Sequence, residues 1–181
     1  MLSNKAYPQE YSKFKEQVLR GEIPVNRWIS LQMNRIDFLI ESPDYFYDDQ
    51  AIEGFVRFCE DEMTLTDGSD VTLLPSFRVW AEDALAWYYE SNDRVFNPKT
   101  GRWEMRKRMK RLTRKQFLIV GRGAAKSLYS TFLQTYMLLI DPSTTHQIVT
   151  APTMKQAEEI MAPIRTALSR AKGPLIRYMV E

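Results

Sequence analysis

Apolar residues in the first half of the chain recur at helical spacing, three or four positions apart. This pattern predicts helices over Tyr11–Arg20, from Trp28 to Ile40 with Pro24 near the start, over Ala51–Leu65 and over Pro75–Tyr89. The turn residues Thr66-Asp67-Gly68-Ser69 follow the third stretch and end it. The first half therefore reads as a mainly helical segment with its aromatic residues in a core.

The pattern changes after Val95. Asn97-Pro98-Lys99-Thr100-Gly101 has the composition of a hairpin turn and is flanked by Phe96 and Trp103. The four apolar residues Phe117–Val120 favour a fully buried parallel strand. Further along the chain, the pattern predicts a helix over Lys126–Ile140, a strand over Gln147–Ala151 and a second helix over Met154–Lys172.

Such alternation is typical of an α/β layer. We therefore expect residues 1–94 to form a helical segment, and residues 95–181 to form a hairpin followed by the first, incomplete part of a parallel-sheet core.

The composition is that of a globular chain of 181 residues with 44% hydrophobic side chains. No stretch approaches the roughly 18 apolar residues of a membrane span, and the start has no secretory pattern. Cys59 is the only cysteine, which favours a buried thiol in a reducing compartment. These features predict a cytoplasmic protein without membrane contact.

Charge is strongly segregated along the chain. Residues 99–115 contain nine basic residues and one acid, Glu104, whereas residues 37–70 contain eleven acids and one base, Arg57. The basic run is compatible with contacts to DNA phosphates or to a neighbouring subunit, and equally with a solvated hairpin. Its interleaved Trp103, Met105, Met109 and Leu112 predict that one face is packed.

The segment Gly121-Arg122-Gly123-Ala124-Ala125-Lys126-Ser127 lies between a predicted strand and a predicted helix. Backbone N–H groups at such a turn form an anion site together with the positive end of the helix. There Lys126 would contact the β- and γ-phosphates of a nucleotide such as ATP, and the Ser127 hydroxyl would coordinate Mg²⁺. A glycine-rich turn without any ligand is the alternative.

The match to the pattern Gly-x-x-x-x-Gly-Lys-Ser/Thr is incomplete. Val120 and Ala125 stand at its two glycine positions. Ala125 is the more serious departure, because a left-handed backbone there would cost a non-glycine residue on the order of 1 kcal/mol.

Phe117–Met161 resembles the large subunit of tailed-bacteriophage terminases, the ATPases that drive DNA into procapsids. Such proteins commonly have an arginine four residues before the lysine, here Arg122, and a strand ending in Ala-Pro-Thr before a helix that begins with Gln-Ala. This chain has Ala151-Pro152-Thr153 and then Gln156-Ala157. The layout upstream, with an adenine-side segment near residues 73–89, is also similar.

The resemblance implies an ATPase motor in the bacterial host cytoplasm. It implies that Lys126 and Arg122 act on the γ-phosphate, and that Phe77 stacks on the base unless it packs in the core. Arg78 stands where the family usually has a glutamine that reads adenine. The implied partners are double-stranded DNA, a small terminase subunit, a portal and further copies in a ring.

Two parts of such an enzyme are not found in this sequence. None of the acids after Ser127 follows four apolar residues, so the strand ending in Asp-Glu that supports hydrolysis is missing, as is the family's nuclease domain. We therefore expect a fragment or truncated frame that binds ATP and hydrolyses it poorly. The alternatives are another P-loop enzyme, such as a helicase or small kinase, and a non-catalytic remnant acting through protein or DNA contacts.

Overall fold

The computed structural model describes residues 7–65, 67–119, 125–140, 150 and 152–169. Its helices are α1 (Gln9–Leu19), α2 (Arg27–Glu41), α3 (Asp49–Arg57), α4 (Pro75–Leu85), α5 (Lys126–Leu139) and α6 (Met154–Ser169). Its strands are β1 (Tyr45–Tyr47), β2 (Trp87–Asn97) and β3 (Arg102–Arg111), and a π-helical segment at Phe58–Glu62 follows α3. The helices predicted from apolar spacing are thus confirmed, with shifted ends.

The chain divides into two compact units. The first comprises Met1–Ile52 and Val79–Gln116, and the second comprises Glu53–Arg78 and Phe117–Glu181. In the second unit, α5 packs against α6 and against the π-helical segment.

The core of the first unit is built where α1 and α2 meet the start of the sheet. Its buried members share an aromatic or aliphatic character and are Tyr11, Ile36, Leu39, Tyr47, Ala86 and Trp87. Tyr47 and Trp87 pack edge to face, with ring centroids 5.2 Å apart. Asn26 fixes the start of α2, because its side chain accepts hydrogen bonds from the Trp28 and Ile29 amides.

The sheet has three antiparallel strands in the order β1-β2-β3. The predicted hairpin is confirmed, and Phe96 pairs with Trp103 across the turn. The predicted helix over Pro75–Tyr89 is too long, because α4 ends at Leu85 and Trp87–Tyr89 pair with both β1 and β3. Aromatic residues fit a pleated surface well, and this explains why the run becomes a strand.

The predicted parallel-sheet core is not seen in the described part of the chain. Phe117–Ile119 form no strand there, and the side chains of Phe117 and Ile119 are 83% and 97% exposed. A buried parallel strand needs neighbours that cover both faces, and no described strand lies beside this run. Val120 and most of the predicted strand Gln147–Ala151 lie outside the described residues. The chain is a mixture of helices and a small antiparallel sheet.

Within the described residues, no helix has the length and apolar character needed to cross a membrane.

A buried carboxylate joins three elements of the first unit. Glu82 on α4 is 2% exposed and accepts hydrogen bonds from the Tyr11 amide at 2.7 Å, the Glu10 amide at 3.2 Å and the Tyr47 hydroxyl at 2.6 Å. Pro8 at the start of α1 provides no side-chain cap. Glu82 therefore caps α1 from a distant part of the sequence.

Removing the Tyr47 hydroxyl tests this arrangement. Burial and the adjacent Glu82 carboxylate raise the pKa of Tyr47, so its hydroxyl stays protonated and donates. We expect Tyr47→Phe to lower the free energy of unfolding by about 1–2 kcal/mol, because a buried carboxylate loses a donor. Urea unfolding measures this effect. Tyr45→Phe in the same strand is the control, and an equal loss in both variants would contradict the assignment.

The titration of Glu82 gives a second test. Burial raises its pKa above the ordinary value of 4.5, in spite of the hydrogen bonds from Tyr47 and the α1 amides. The folded protein then holds this proton more tightly than the unfolded chain does. The contribution of Glu82 to the free energy of unfolding is thus fully present below its unfolded pKa and is lost as pH rises through its folded pKa.

We therefore compare the free energy of unfolding of the wild type with that of Glu82→Gln. The wild-type value minus the variant value is expected to fall as pH rises from the unfolded-state pKa of Glu82 through its folded-state pKa. Urea unfolding at a series of pH values measures this difference. A difference that rises with pH would show that the folded-state pKa of Glu82 is lowered instead.

Candidate phosphate-binding site

The predicted phosphate loop ends in an unusual backbone conformation. Ala125, the residue before α5, has φ of 50° and ψ of 29°, which is left-handed. Among the described residues it is the only one other than glycine with a positive φ. The amide of Tyr129 donates to the Ala125 carbonyl at 3.1 Å, so the helix starts directly after the left-handed residue. The position at which the sequence pattern calls for glycine is therefore left-handed here.

The start of α5 favours a negatively charged ligand. Its first turn contains no acidic residue, and Ala125 provides no side-chain cap for the first amides. Lys126 and Ser127 are both exposed. The first two residues of α5 thus bring a lysine and a hydroxyl to the positive end of the helix dipole.

The rest of the predicted loop lies outside the described residues. This applies to Gly121, Arg122, Gly123 and Ala124, and therefore to the predicted catalytic role of Arg122. The roles predicted for Lys126 and Ser127 depend on atoms of that loop as well and stay predictions.

Phe77 lies against the same helix. Its side chain is 1% exposed, and its ring centroid is 5.4 Å from that of Tyr129 and 6.5 Å from that of Phe132, both on α5. A ring buried in this way has no face open to a nucleotide base, so the structure favours core packing over the stacking role. Phe77 instead fixes the first two turns of α5 against the start of α4.

Arg78, the residue after Phe77, forms an ion pair within the second unit. Its guanidinium donates to Glu60 in the π-helical segment at 2.6 Å, and the Leu73 amide donates to the same carboxylate at 3.0 Å. Glu60 thereby holds the first residues of the predicted adenine-side segment, from Leu73 to Arg78. Sequence reasoning missed this residue, because one acid within an acidic block gives no signal of its partner.

The far end of α5 is anchored by aromatic packing. Tyr136 contacts Phe55 and Phe58 edge to face, with ring centroids 5.5 Å and 5.6 Å apart. Gly54 lies close to this contact, since a Cβ atom there would be 3.0 Å from the Tyr136 hydroxyl and would require it to shift. Both ends of α5 are thus held within the second unit.

Other chemistry in the described residues is limited. No group of three or more His, Cys, Asp or Glu side chains there could hold a metal ion. Cys59 is buried, as expected, and burial together with the nearby Glu60 raises the pKa of its thiol. A protonated, buried thiol is a poor nucleophile.

The chain matches no protein-family model, and searches of curated proteins and of solved structures find no match either.

The left-handed Ala125 predicts a stabilising substitution. We expect Ala125→Gly to raise the free energy of unfolding by about 0.5–1 kcal/mol, since relief of the left-handed strain outweighs the greater chain entropy of glycine. Thermal or urea unfolding measures this change. The exposed, helical Ala162 is the matched control, and Ala162→Gly is expected to lower the same quantity by about 0.5–1 kcal/mol. Destabilisation by both variants would contradict a left-handed Ala125.

Proposed function

We propose that the chain binds the triphosphate of ATP at the start of α5, as the nucleotide-binding front part of a terminase-like packaging ATPase. The observation that carries the proposal is the left-handed Ala125 directly before an exposed Lys126-Ser127 pair at a helix N-terminus. A left-handed residue next to right-handed helical residues is the backbone combination that occurs in anion-binding loops.

Each residue has a defined part in this proposal. Lys126 supplies a positive charge to the β- and γ-phosphates, and the first amides of α5 donate hydrogen bonds to phosphate oxygens. The Ser127 hydroxyl provides one Mg²⁺ ligand, and Arg122 contributes a second charge near the γ-phosphate. Hydrolysis needs an acidic pair that the sequence does not offer in the expected pattern, so the proposed activity of this chain is binding.

The assignment to terminases rests on sequence motifs. The support is the arginine at position 122, the Ala151-Pro152-Thr153 sequence and the helix that follows it. In the intact system, the proposed role is to power the packaging of double-stranded DNA in the host cytoplasm, with a small subunit, a portal and a ring of copies as partners. A helicase-like ATPase shares the phosphate loop and is the alternative of the same class.

Equilibrium binding of a fluorescent ATP analogue tests the proposal. We expect saturable, Mg²⁺-dependent binding that Lys126→Ala weakens about 10-fold to 100-fold, because a charge-assisted contact is lost. Lys155→Ala on α6 removes an equally exposed lysine from the same unit and is expected to change affinity by less than about twofold. Ser127→Ala should reduce the Mg²⁺ dependence specifically.

The opposing outcomes are distinct. Absence of binding by the wild type would favour a remnant that acts through protein or DNA contacts only. Equal losses of affinity in Lys126→Ala and Lys155→Ala would indicate a general charge effect. The nucleotide would then not bind specifically at the start of α5.

A further inference from the structure

The hairpin formed by β2 and β3 leaves a long strand edge unpaired. β3 is the outer strand of the sheet and contains ten residues. In the described part of the chain it pairs only with β2, so every second residue turns its N–H and C=O groups away from the sheet. Such an edge accepts an additional strand unless side chains prevent it.

One face of the hairpin carries exposed apolar side chains, which are interspersed with Arg94 and with the Lys107–Glu90 ion pair. Because side chains alternate along a strand and paired residues share a face, Trp103, Met105 and Met109 lie on the same side as Phe96. All four are exposed, with Trp103 at 59% and Met105 at 66%. The prediction that these residues form a packed face is therefore wrong for the hairpin, although Leu112 just beyond it does pack against the core.

The opposite face is basic. The register places Arg102, Arg106, Arg108 and Lys110 together on it. Lys110 is paired with Asp93 at 2.6 Å and Arg106 with Glu104 at 3.1 Å. Among the described residues, Arg102 and Arg108 form no salt bridge, although Arg108 adds to the effect of Lys110 in lowering the pKa of Asp93. The four basic residues outnumber the acids Glu104 and Asp93 on this face, so it keeps positive charge available.

Charge on an edge strand also restricts which strand can pair with it. Two copies of β3 would bring like charges into direct opposition, which disfavours pairing between copies of this chain. An extended segment with acidic residues at alternate positions would match the basic face. Its intervening apolar residues would then cover Trp103 and Met105.

The aromatic contacts make a nucleic acid a poorer fit. The Arg94 guanidinium lies over the Trp103 ring, 5.3 Å from its centroid, and Phe96 packs edge to face on Trp103 at 5.6 Å. A base that stacked on the ring face covered by Arg94 would have to displace the guanidinium. Phosphate contacts would leave Met105 and Met109 exposed, whereas a protein strand covers apolar and charged positions alternately.

We propose that β3 is a docking edge for an extended segment of a partner protein in which acidic and apolar residues alternate. The segment adds to the sheet as a fourth strand beside Arg102–Arg111. Its main chain bonds to the free edge, its acidic side chains lie beside Arg102 and Arg108, and its apolar side chains lie beside Met105. This site lies in the first unit and does not depend on nucleotide binding at α5.

A labelled peptide of alternating glutamate and valine, equal in length to the ten residues of β3, tests the proposal by fluorescence anisotropy with the whole chain. The comparison peptide has the same composition with all glutamates preceding all valines. We expect the alternating peptide to bind at least about 10-fold more tightly, since only its pattern matches both faces of the strand. Hydrogen exchange should show new protection of outward-facing amides in β3.

Two variants locate the site. Arg108→Glu is expected to weaken binding of the alternating peptide about 10-fold through like-charge opposition, and Met105→Ser about threefold through lost apolar contact. Arg27→Glu makes the same charge change at the exposed start of α2 and should leave binding within about twofold. Since Met105 is exposed, its replacement does not threaten folding.

Several results would overturn the proposal. Equal affinity for the two peptides would show that binding depends on net charge alone. Undetectable binding of both peptides would show that β3 does not bind such a segment. Equal losses in Arg108→Glu and Arg27→Glu would place binding elsewhere. Displacement of the peptide by a short duplex or single-stranded oligonucleotide at lower concentration would assign the hairpin to nucleic acid.

Discussion

The first unit depends on the burial of one carboxylate. Glu82 is removed from water, which is costly for a charged group, and three hydrogen bonds from α1 and β1 offset that cost. The interaction replaces the missing cap of α1 and fixes α4 relative to the first strand. Removal of any donor leaves the buried carboxylate with fewer hydrogen bonds to offset its desolvation, so the three elements stabilise one another.

Asp83, the next residue along α4, joins this helix to α2 and to the segment after β3. Asp83 pairs with Arg35 on α2, and its carbonyl accepts a hydrogen bond from the Thr113 hydroxyl at 2.9 Å. The Gln116 side chain donates to the Trp80 carbonyl at 2.8 Å. The chain that leaves β3 is therefore held on α4 up to its last residue in the first unit.

The limits of sequence reasoning follow from what each pattern encodes. Apolar spacing finds helices because it reports a buried stripe, but Trp87-Tyr88-Tyr89 fits a helix face and a strand equally, so the end of α4 was misplaced. Glu82 resembles an ordinary surface acid in the sequence, because its donors lie 35, 71 and 72 residues away. An apolar run such as Phe117–Ile119 does not indicate which strands will lie beside it. In the described part of the chain, no strand pairs with this run.

The candidate site differs from these cases, because the sequence identified the critical position and its conformational problem together. A pattern that requires glycine at position 125 implies a left-handed backbone, and alanine takes that conformation at an energetic cost. A glycine would remove the cost without changing the path of the chain. A strained residue persists only where surrounding interactions determine its geometry, and such residues cluster where the backbone must approach a ligand. The second unit provides this constraint on one side, since Phe77, Tyr129 and Phe132 fix the start of α5. Among the described residues, a left-handed conformation at a residue other than glycine thus occurs at Ala125, directly before the lysine that the phosphate-binding proposal requires.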